Sequence, residues 1–233
     1  MNDMGRIIIQ EETEKFPISL IGKEAGVCWG GNTADQAKNY KRGLGCIRDG
    51  HGRTMEYPQI YMILDGYSAR VIRELYTHIA GGPTRLQAST RYIDYESGFD
   101  YITPPSISKD PETEKVYREA MAGILENLQK LEAMGVPRED NALLLPLGMT
   151  TKVVFRTNLR NLADMSHQRL CTRAYWEYRE MMKDIIDALT AYGENEGENE
   201  WKKASELLFM PKCDVVGFCT ESKCCGRRPK KEV

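Results

Sequence analysis

Hydrophobic residues recur along the chain with two periods, and these periods predict the secondary structure. Short apolar or β-branched runs predict strands over residues 6–9, 18–21, 58–64 and 150–157. Apolar positions three or four residues apart predict helices over residues 34–47, 69–77, 112–134, 138–144, 158–192 and 204–209. The order of elements shows no βαβ alternation. It therefore predicts an α+β fold, with a central antiparallel or mixed sheet flanked by helices.

Turn and cap residues set the expected boundaries of these elements. Thr33 is expected to cap the helix that begins at Ala34, and Ser68 to cap the next one. A turn is expected over 65–68, a break near Cys171 in the long helix, and a solvated loop over 194–200. We expect one domain over residues 1–210, followed over residues 211–233 by a Cys-rich basic tail with a frayed end.

Composition limits the classes of function. The chain has 233 residues, of which 41% are hydrophobic and 28% charged, which is typical of a soluble protein with a substantial core. Its net charge of −2 gives no overall attraction to nucleic acid or to anionic membranes, so any anion site must be a local cluster. No apolar run reaches the roughly 18 residues of a membrane span, and the N-terminus lacks signal-peptide features. We therefore expect a cytoplasmic protein without nucleic-acid or membrane partners.

The seven cysteines are distributed unevenly. Cys28, Cys46 and Cys171 are scattered, as small buried hydrophobic residues often are. Four others crowd the tail, at Cys213, Cys219, Cys224 and Cys225. The tail spacing does not repeat a CxxC pair and no histidine lies nearby, so free thiols are favoured over a zinc site. A zinc-tailed nucleic-acid binder is disfavoured by the net charge.

One short run, Gln87-Ala88-Ser89-Thr90-Arg91-Tyr92, combines an amide, two hydroxyls, a fixed positive charge and a phenol. A guanidinium beside hydroxyls can bind a phosphate or carboxylate, because its donors form a planar fork. The run follows Gly81-Gly82-Pro83, which ends any preceding helix and lets backbone amides approach a ligand. The sequence alone leaves two alternatives open, an anion-binding loop and a solvated turn.

A second polar stretch lies in the predicted helix over residues 158–192. At 100° per residue, Asn158, Asn161 and Arg169 share one face with Leu162 and Met165. A face that mixes amides, a cation and aliphatic side chains is typical of a pocket wall. A helix whose polar groups are satisfied inside the protein gives the same pattern.

These segments resemble the motifs of the flavin-dependent thymidylate synthases. The run Gln87–Tyr92 matches the family's Glu/Gln-x-Ser-x-Arg-Tyr, and His51 and Glu56 match its Gly-His-x-Ser/Thr-x-x-Glu-His. Further segments keep the family's order and spacing, at Leu145-Pro146-Leu147, Arg156–Leu162, Arg169 and Trp176-Glu177. The resemblance covers residues 25–190.

The chain also departs from the family pattern in its basic residues. The family's Arg-His-Arg reads Thr77-His78-Ile79 here, and the stretch that follows it is about two residues longer. Arg85 could supply a displaced charge. Ala142 stands where many relatives have a nucleotide-binding Arg, and His167 replaces an Asn that often lines the flavin pocket. Binding of phosphate and flavin must therefore be arranged differently or be weaker.

The resemblance implies a reaction and its partners. The family converts dUMP to dTMP, with FAD as cofactor, methylenetetrahydrofolate as one-carbon donor and NADPH as reductant. Its active sites are built at the interfaces of a homotetramer. The resemblance implies that Arg169 lies against the uracil and stabilises its enolate. It places the nucleotide at Gln87, Ser89 and Arg91. It places the flavin at His51, Glu56, His78, Asn158 and His167.

Two alternatives to dUMP methylation stay open. The same flavin and folate chemistry could act on another pyrimidine nucleotide or form a hydroxymethyl product, and the change to Thr77-His78-Ile79 motivates this alternative. A non-catalytic nucleotide- or flavin-binding relative would explain the lost Arg positions. Retention of Arg91 and Arg169 argues against it, because an unused buried charge is costly.

Overall fold

The computed structural model of the chain describes residues 5–95, 97–194 and 199–231. Its strands pair in the order β1-β2-β4-β3, and they are β1 (Arg6–Ile9), β2 (Gln59–Ser68), β3 (Thr84–Gln87) and β4 (Thr150–Asn158). The helices are α1 (Pro17–Cys28), α2 (Gln36–Arg48), α3 (Ala69–Leu75), α4 (Pro105–Ser108), α5 (Pro111–Ala133), α6 (Arg138–Asn141), α7 (Leu159–Arg169), α8 (Trp176–Glu194), α9 (Glu200–Leu208) and α10 (Lys212–Val216). Two 3-10 helices cover Gly52–Glu56 and Ala142–Leu144. A mixed α+β fold with a small antiparallel sheet is thereby confirmed.

The chain divides into two compact units. Unit 1 consists of residues up to Arg6 together with Leu64–Thr77 and Leu86–Val153, and unit 2 consists of Ile7–Ile63, His78–Arg85 and the chain from Val154 onwards. Four of the five boundaries fall within strands, one in each, and the fifth follows α3. The separation of a domain over residues 1–210 from a tail stays a prediction.

Unit 2 is built on closely packed helices. Ile18 and Ile21 of α1 are fully buried, as are Met181 and Ile185 of α8. The backbones of α1 and α2 approach so closely that a Cβ at Gly43 would lie 1.9 Å from the carbonyl oxygen of Ile18. Only glycine fits there, so this contact fixes the packing of the two helices.

Unit 1 contains α3 and α5. Ser68 caps α3 as predicted, since its hydroxyl accepts from the Val71 amide at 3.2 Å. The predicted helix over 112–134 is confirmed as α5, which Asp110 caps and in which Met121 and Leu128 are buried. The predicted helix over 138–144 is divided between α6 and the second 3-10 helix.

The strand predicted over 18–21 is wrong, because these residues lie in α1. Pro17 occupies the first helical turn, where its missing N–H costs nothing. The buried positions Ile18, Ile21 and Ala25 follow the period of a helix. Four residues were too short a window to separate that period from a strand.

The predicted cap at Thr33 and turn at 65–68 are also wrong. The side chain of Asp35 caps α2, accepting from the Lys38 amide at 3.1 Å. Strand β2 continues through Ser68. The polar Asp65 is accommodated in it because Arg6 and Lys152 of the neighbouring strands contact its carboxylate at 3.0 and 3.1 Å.

The end of the chain is folded back rather than frayed over its described residues. The Asp214 carboxylate contacts Arg227 at 2.6 Å and Arg228 at 2.7 Å. Of the acidic loop predicted over 194–200, residues 195–198 lie outside the described residues. Within the described ranges, no helix has both the length and the hydropathy that crossing a bilayer requires.

Candidate active site

The start of α7 is fixed by two buried asparagines. The Asn158 side chain accepts from the Asn161 amide at 2.9 Å and donates to the Gly81 carbonyl at 3.2 Å. Asn161 donates to the hydroxyl of Thr157 at 2.7 Å. Gly81 has φ +72° and lies so close that a Cβ there would be 2.5 Å from Asn158 Nδ2. The amides are therefore satisfied inside the protein, and they hold the helix that carries Arg169.

Arg169 lies at the other end of α7 and is held on two sides. Its Nε donates to Nε2 of His78 at 3.0 Å. Its guanidinium carbon is 4.5 Å from the ring centroid of Tyr178, a cation–π contact with a residue of α8. The rings of His78 and Tyr178 meet edge to face at 5.9 Å. The position of the charge is therefore set by the fold.

His78 is kept neutral by its surroundings. It is 9% exposed. Burial, reinforced by the charges of Arg169 and Arg85, lowers the pKa of His78 from 6.5 to about 4. Because Nε2 accepts from Arg169, the ring proton resides on Nδ1. The Arg85 guanidinium donates to the His78 carbonyl oxygen and lies 5.6 Å from the ring centroid of Phe155.

A cavity of about 360 Å³ opens beside Arg169 within unit 2. One wall is the connection from α7 to α8, with Arg169 and Arg173, and the other is the tail, with Lys212, Glu221 and Lys223. Four cations face one carboxylate across this space. The lining favours an anionic ligand.

The two residues matched in the upstream motif lie at the ends of the first 3-10 helix, which His51 precedes and Glu56 completes. His51 is exposed, and its ring meets that of the exposed Trp29 edge to face at 6.5 Å. Glu56 pairs with Arg160 at 2.6 Å. Both motif side chains thus present polar atoms at the surface of unit 2.

His167 has a structural contact in this chain. Its Nε2 lies 3.2 Å from the Leu208 carbonyl oxygen, which also accepts from the Ser166 hydroxyl at 3.4 Å. These bonds join α7 to the end of α9. One of the two ring nitrogens of His167 is therefore engaged with the backbone, and the residue also lines the cavity beside Arg169.

The hexapeptide Gln87–Tyr92 lies in unit 1, starting at the last residue of β3. The Ser89 hydroxyl accepts from the Arg91 amide at 3.3 Å. Arg91 Nε donates to Glu139 at 2.9 Å, and more than half of each of these two side chains is exposed. Tyr92 is 75% exposed, with the Arg91 guanidinium 5.7 Å from its ring centroid. The loop therefore presents a cation whose ion-pair partner, Glu139, is itself accessible to solvent.

The tail cysteines are free thiols, and three of them line the cavity described above, namely Cys213, Cys219 and Cys225. Across the described ranges, no three His, Cys, Asp or Glu side chains are grouped so that they could hold a metal ion.

Sequence reasoning missed four contributors to this region, namely Tyr178, Arg173, Lys212 and Lys223. Tyr178 had no signal beyond its place two residues after Trp176. The three cations line one cavity because the tail folds back. The sequence indicates Arg85 as a possible displaced charge but gives no sign of its contact with the His78 carbonyl.

Comparison with known proteins places these residues in a family context. The family described as thymidylate synthase complementing protein matches residues 12–192. The flavin-dependent thymidylate synthase of Pyrococcus furiosus is 30% identical over 190 residues, covering 80% of this chain and 74% of that protein. The enzyme of the same name from Pyrococcus horikoshii is 32% identical over 177 residues, covering 74% of this chain and 69% of the relative.

Solved structures share the fold. Thymidylate synthase X from Helicobacter pylori, crystallised with FAD and dUMP, superposes with a TM-score of 0.65 at 18% identity, covering 85% of this chain and 99% of that one. A UMP/dUMP methylase from Streptomyces cacaoi, bound with 5-Br dUMP, gives 0.70 at 16% identity, covering 88% and 96%. The family match and the relatives agree with the motif positions of Arg91 and Arg169. The chain belongs to the flavin-dependent thymidylate synthase family.

Proposed function

We propose that this chain methylates dUMP to dTMP, with FAD as its cofactor, methylenetetrahydrofolate as one-carbon donor and NADPH as reductant. Family membership supports the reaction and the flavin. The observation that carries the proposal within the chain is the fixed charge of Arg169 beside a neutral His78. A cytoplasmic location stays a prediction.

Arg169 is proposed as the catalytic cation. Methylation at carbon 5 requires negative charge to develop on the uracil ring, and a positive charge near the carbonyl oxygens stabilises it. A guanidinium does this without changing its protonation state. Because His78 and Tyr178 already hold Arg169, little reorganisation is needed when charge develops. His78 and Tyr178 are thus proposed as positioning residues.

Gln87, Ser89 and Arg91 are proposed to bind the nucleotide, with the phosphate at Arg91. The present partner of Arg91 is the Glu139 carboxylate. An exposed ion pair of this kind is worth less than about 1 kcal/mol. A phosphate dianion could therefore replace Glu139 at small cost, and its oxygens fit the guanidinium fork.

Five residues are proposed to form the flavin site, and they contribute to it in different ways. His51 and Glu56 offer exposed polar atoms, and Arg160 beside Glu56 supplies a cation suited to the diphosphate of FAD. Asn158 and His167 form internal hydrogen bonds, so they would shape the site rather than bind the flavin directly. The fifth, His78, would meet the flavin through its ring face or Nδ1. When bound, FAD supplies hydride transfer.

A homotetramer with active sites at its interfaces is proposed as the working form. Unit 1 exposes large apolar side chains, and their exposure to water would not stabilise a monomer. They are Leu86 (70%), Tyr92 (75%), Leu143 (86%) and Leu147 (53%). Light scattering of the purified protein tests the subunit number, and a monomer at micromolar concentration would contradict the proposal.

Incubation of the purified protein with FAD, NADPH, methylenetetrahydrofolate and dUMP tests the function. Product mass should show the gain of a methyl group, and denaturation of the protein should release FAD. A protein that contains no flavin after soaking with FAD would contradict the proposed function.

A second candidate substrate is another pyrimidine nucleotide, or dUMP converted to a hydroxymethyl product. It is favoured by Thr77-His78-Ile79, in which the family's two arginines are absent while His78 holds Arg169 directly. Parallel reactions with dUMP and dCMP, analysed by product mass, separate the candidates. The ordered Arg169 argues against the third possibility, a relative that only binds nucleotide or flavin.

A further inference from the structure

The tail beyond the family match forms one wall of the cavity that contains Arg169. The match ends at residue 192, whereas the tail residues on the cavity lie between positions 212 and 225. Ion pairs within the tail hold this wall in its folded form, because the Asp214 carboxylate contacts Arg227 at 2.6 Å and Arg228 at 2.7 Å. The wall is therefore a feature that this chain adds to the part matched by the family.

The facing wall is the connection between α7 and α8, and hydrogen bonds hold it as well. Arg179 of α8 donates to the carbonyl oxygens of Thr172 and Ala174 at 3.0 and 2.7 Å. The amide of Ala174 donates to the Cys171 carbonyl at 2.9 Å. Both walls lie in unit 2. The space of about 360 Å³ between them has the size of a small-molecule site.

The side chains on the cavity give it an excess of positive charge. Arg169 and Arg173 come from the connection, and Lys212 and Lys223 come from the tail, whereas the described lining residues include a single carboxylate, Glu221. Among the residues that the structure describes, no carboxylate pairs with Arg173, Lys212 or Lys223. Like charges that line one space repel each other, so an anion between them would be stabilised.

We propose that Arg173, Lys212 and Lys223 form a binding site for the phosphate monoester group of a small molecule. Guanidinium and ammonium groups bind phosphate oxygens through charge-assisted hydrogen bonds. The hydroxyls of Thr172 and Thr220 line the same cavity and are further donors. A monoester dianion is favoured over a singly charged carboxylate, because four cations face one carboxylate among the described lining residues.

Two reactants of the proposed function carry such a group, namely dUMP at its 5′ position and NADPH at its 2′ position. Because the nucleotide phosphate already has a proposed partner in Arg91 of unit 1, we expect the 2′-phosphate of NADPH at this cavity of unit 2. The choice of reactant rests on the proposed function, whereas the phosphate site itself does not.

Binding of NADP⁺ and NAD⁺ to the full chain, incubated with FAD, tests the site. The two probes differ only in the 2′-phosphate, and neither can start turnover. At constant ionic strength, calorimetry should show tighter binding of NADP⁺ than of NAD⁺ to wild type. The double variant Lys212→Gln/Lys223→Gln should weaken NADP⁺ binding about tenfold and leave NAD⁺ binding unchanged. Glu221→Gln should strengthen NADP⁺ binding, because it removes the carboxylate that repels the phosphate.

The matched control is Lys23→Gln/Lys202→Gln, which makes the same change of charge at exposed lysines of α1 and α9 outside the cavity. This control should bind NADP⁺ like wild type. A second measurement locates the ligand, since the exposed Cys225 lines the cavity and the exposed Cys28 of α1 does not. NADP⁺ should slow the alkylation of Cys225 by iodoacetamide but not that of Cys28.

Lysine-dependent binding of dUMP in place of NADP⁺, with protection of Cys225, would support the phosphate site and identify dUMP as its ligand. The proposal is overturned if the two double variants bind these probes equally, or if neither probe protects Cys225. The measurements need no turnover, so they distinguish failure of this site from failure of the proposed function.

Discussion

The neutral His78 makes the stability of the protein depend on pH in a defined direction. Its pKa is about 4 in the folded chain and 6.5 when unperturbed, so the unfolded chain binds the extra proton between these values. The free energy of unfolding must therefore fall as the pH falls through this window, and the contribution is fully present above it. His78→Gln removes the titration but keeps a side-chain oxygen that can accept from Arg169.

The size of the effect follows from the two pKa values. The full loss by about pH 4 is roughly 3 kcal/mol, and roughly 2 kcal/mol is lost between about pH 7 and about pH 5. Urea unfolding followed by tryptophan fluorescence, at one protein concentration throughout, measures it. The difference between wild type and His78→Gln isolates this residue from the carboxylates that titrate in the same range.

The matched control is His51→Gln, because His51 is exposed. Its unfolding free energy should follow the wild-type pH dependence. The reasoning is refuted if His78→Gln and wild type lose the same free energy between about pH 7 and about pH 5. In that case His78 would be charged, or hydrated, in the folded protein.

Three further changes test packing, capping and positioning. Gly43→Ala should lower the free energy of unfolding by about 2 kcal/mol or more, because its Cβ would overlap a carbonyl oxygen of α1. Gly45→Ala, in open space on the same helix, should not lower it, and equal effects would contradict the packing argument. Asn158→Ala should cost at least about 1 kcal/mol in urea unfolding. Asn158→Ser also loses the bond to Gly81 but keeps a capping oxygen, so it should cost less, and equal costs would refute the capping role. Tyr178→Leu should lower kcat about tenfold, because Arg169 loses its aromatic support. Tyr178→Phe keeps the ring and should not lower kcat, and equal kcat values in the two variants would contradict the positioning role of Tyr178.

The sequence predicted elements that are long and strongly periodic. The helix α5 and the strand β4 appear within one or two residues of expectation, and the break between α7 and α8 was placed correctly. Residues 18–21 failed because a short apolar run fits a buried strand and a helix equally well. Pro17 was the local signal that could have decided it. The continuation of β2 through Asp65 depends on cations from two neighbouring strands, which no local pattern reveals.

The candidate site was predictable as a set of residues but not as a geometry. His78 and Arg169 were both singled out, yet they are 91 residues apart, and their hydrogen bond arises from the tertiary fold. The low pKa of His78 likewise results from burial and from two charges that the fold brings to it. Asn158 and His167 show the reverse, since their motif positions suggest flavin contacts while their hydrogen bonds here are internal.

Arg169 carries the central claim, and the rate of dTMP formation from dUMP in Arg169→Ala tests it most directly. With FAD, NADPH and methylenetetrahydrofolate supplied, wild type should form dTMP, and the variant should form none above background. Circular dichroism and urea unfolding confirm that the variant still folds. Near-normal turnover by a folded Arg169→Ala protein, or no dTMP from wild type, would contradict the account.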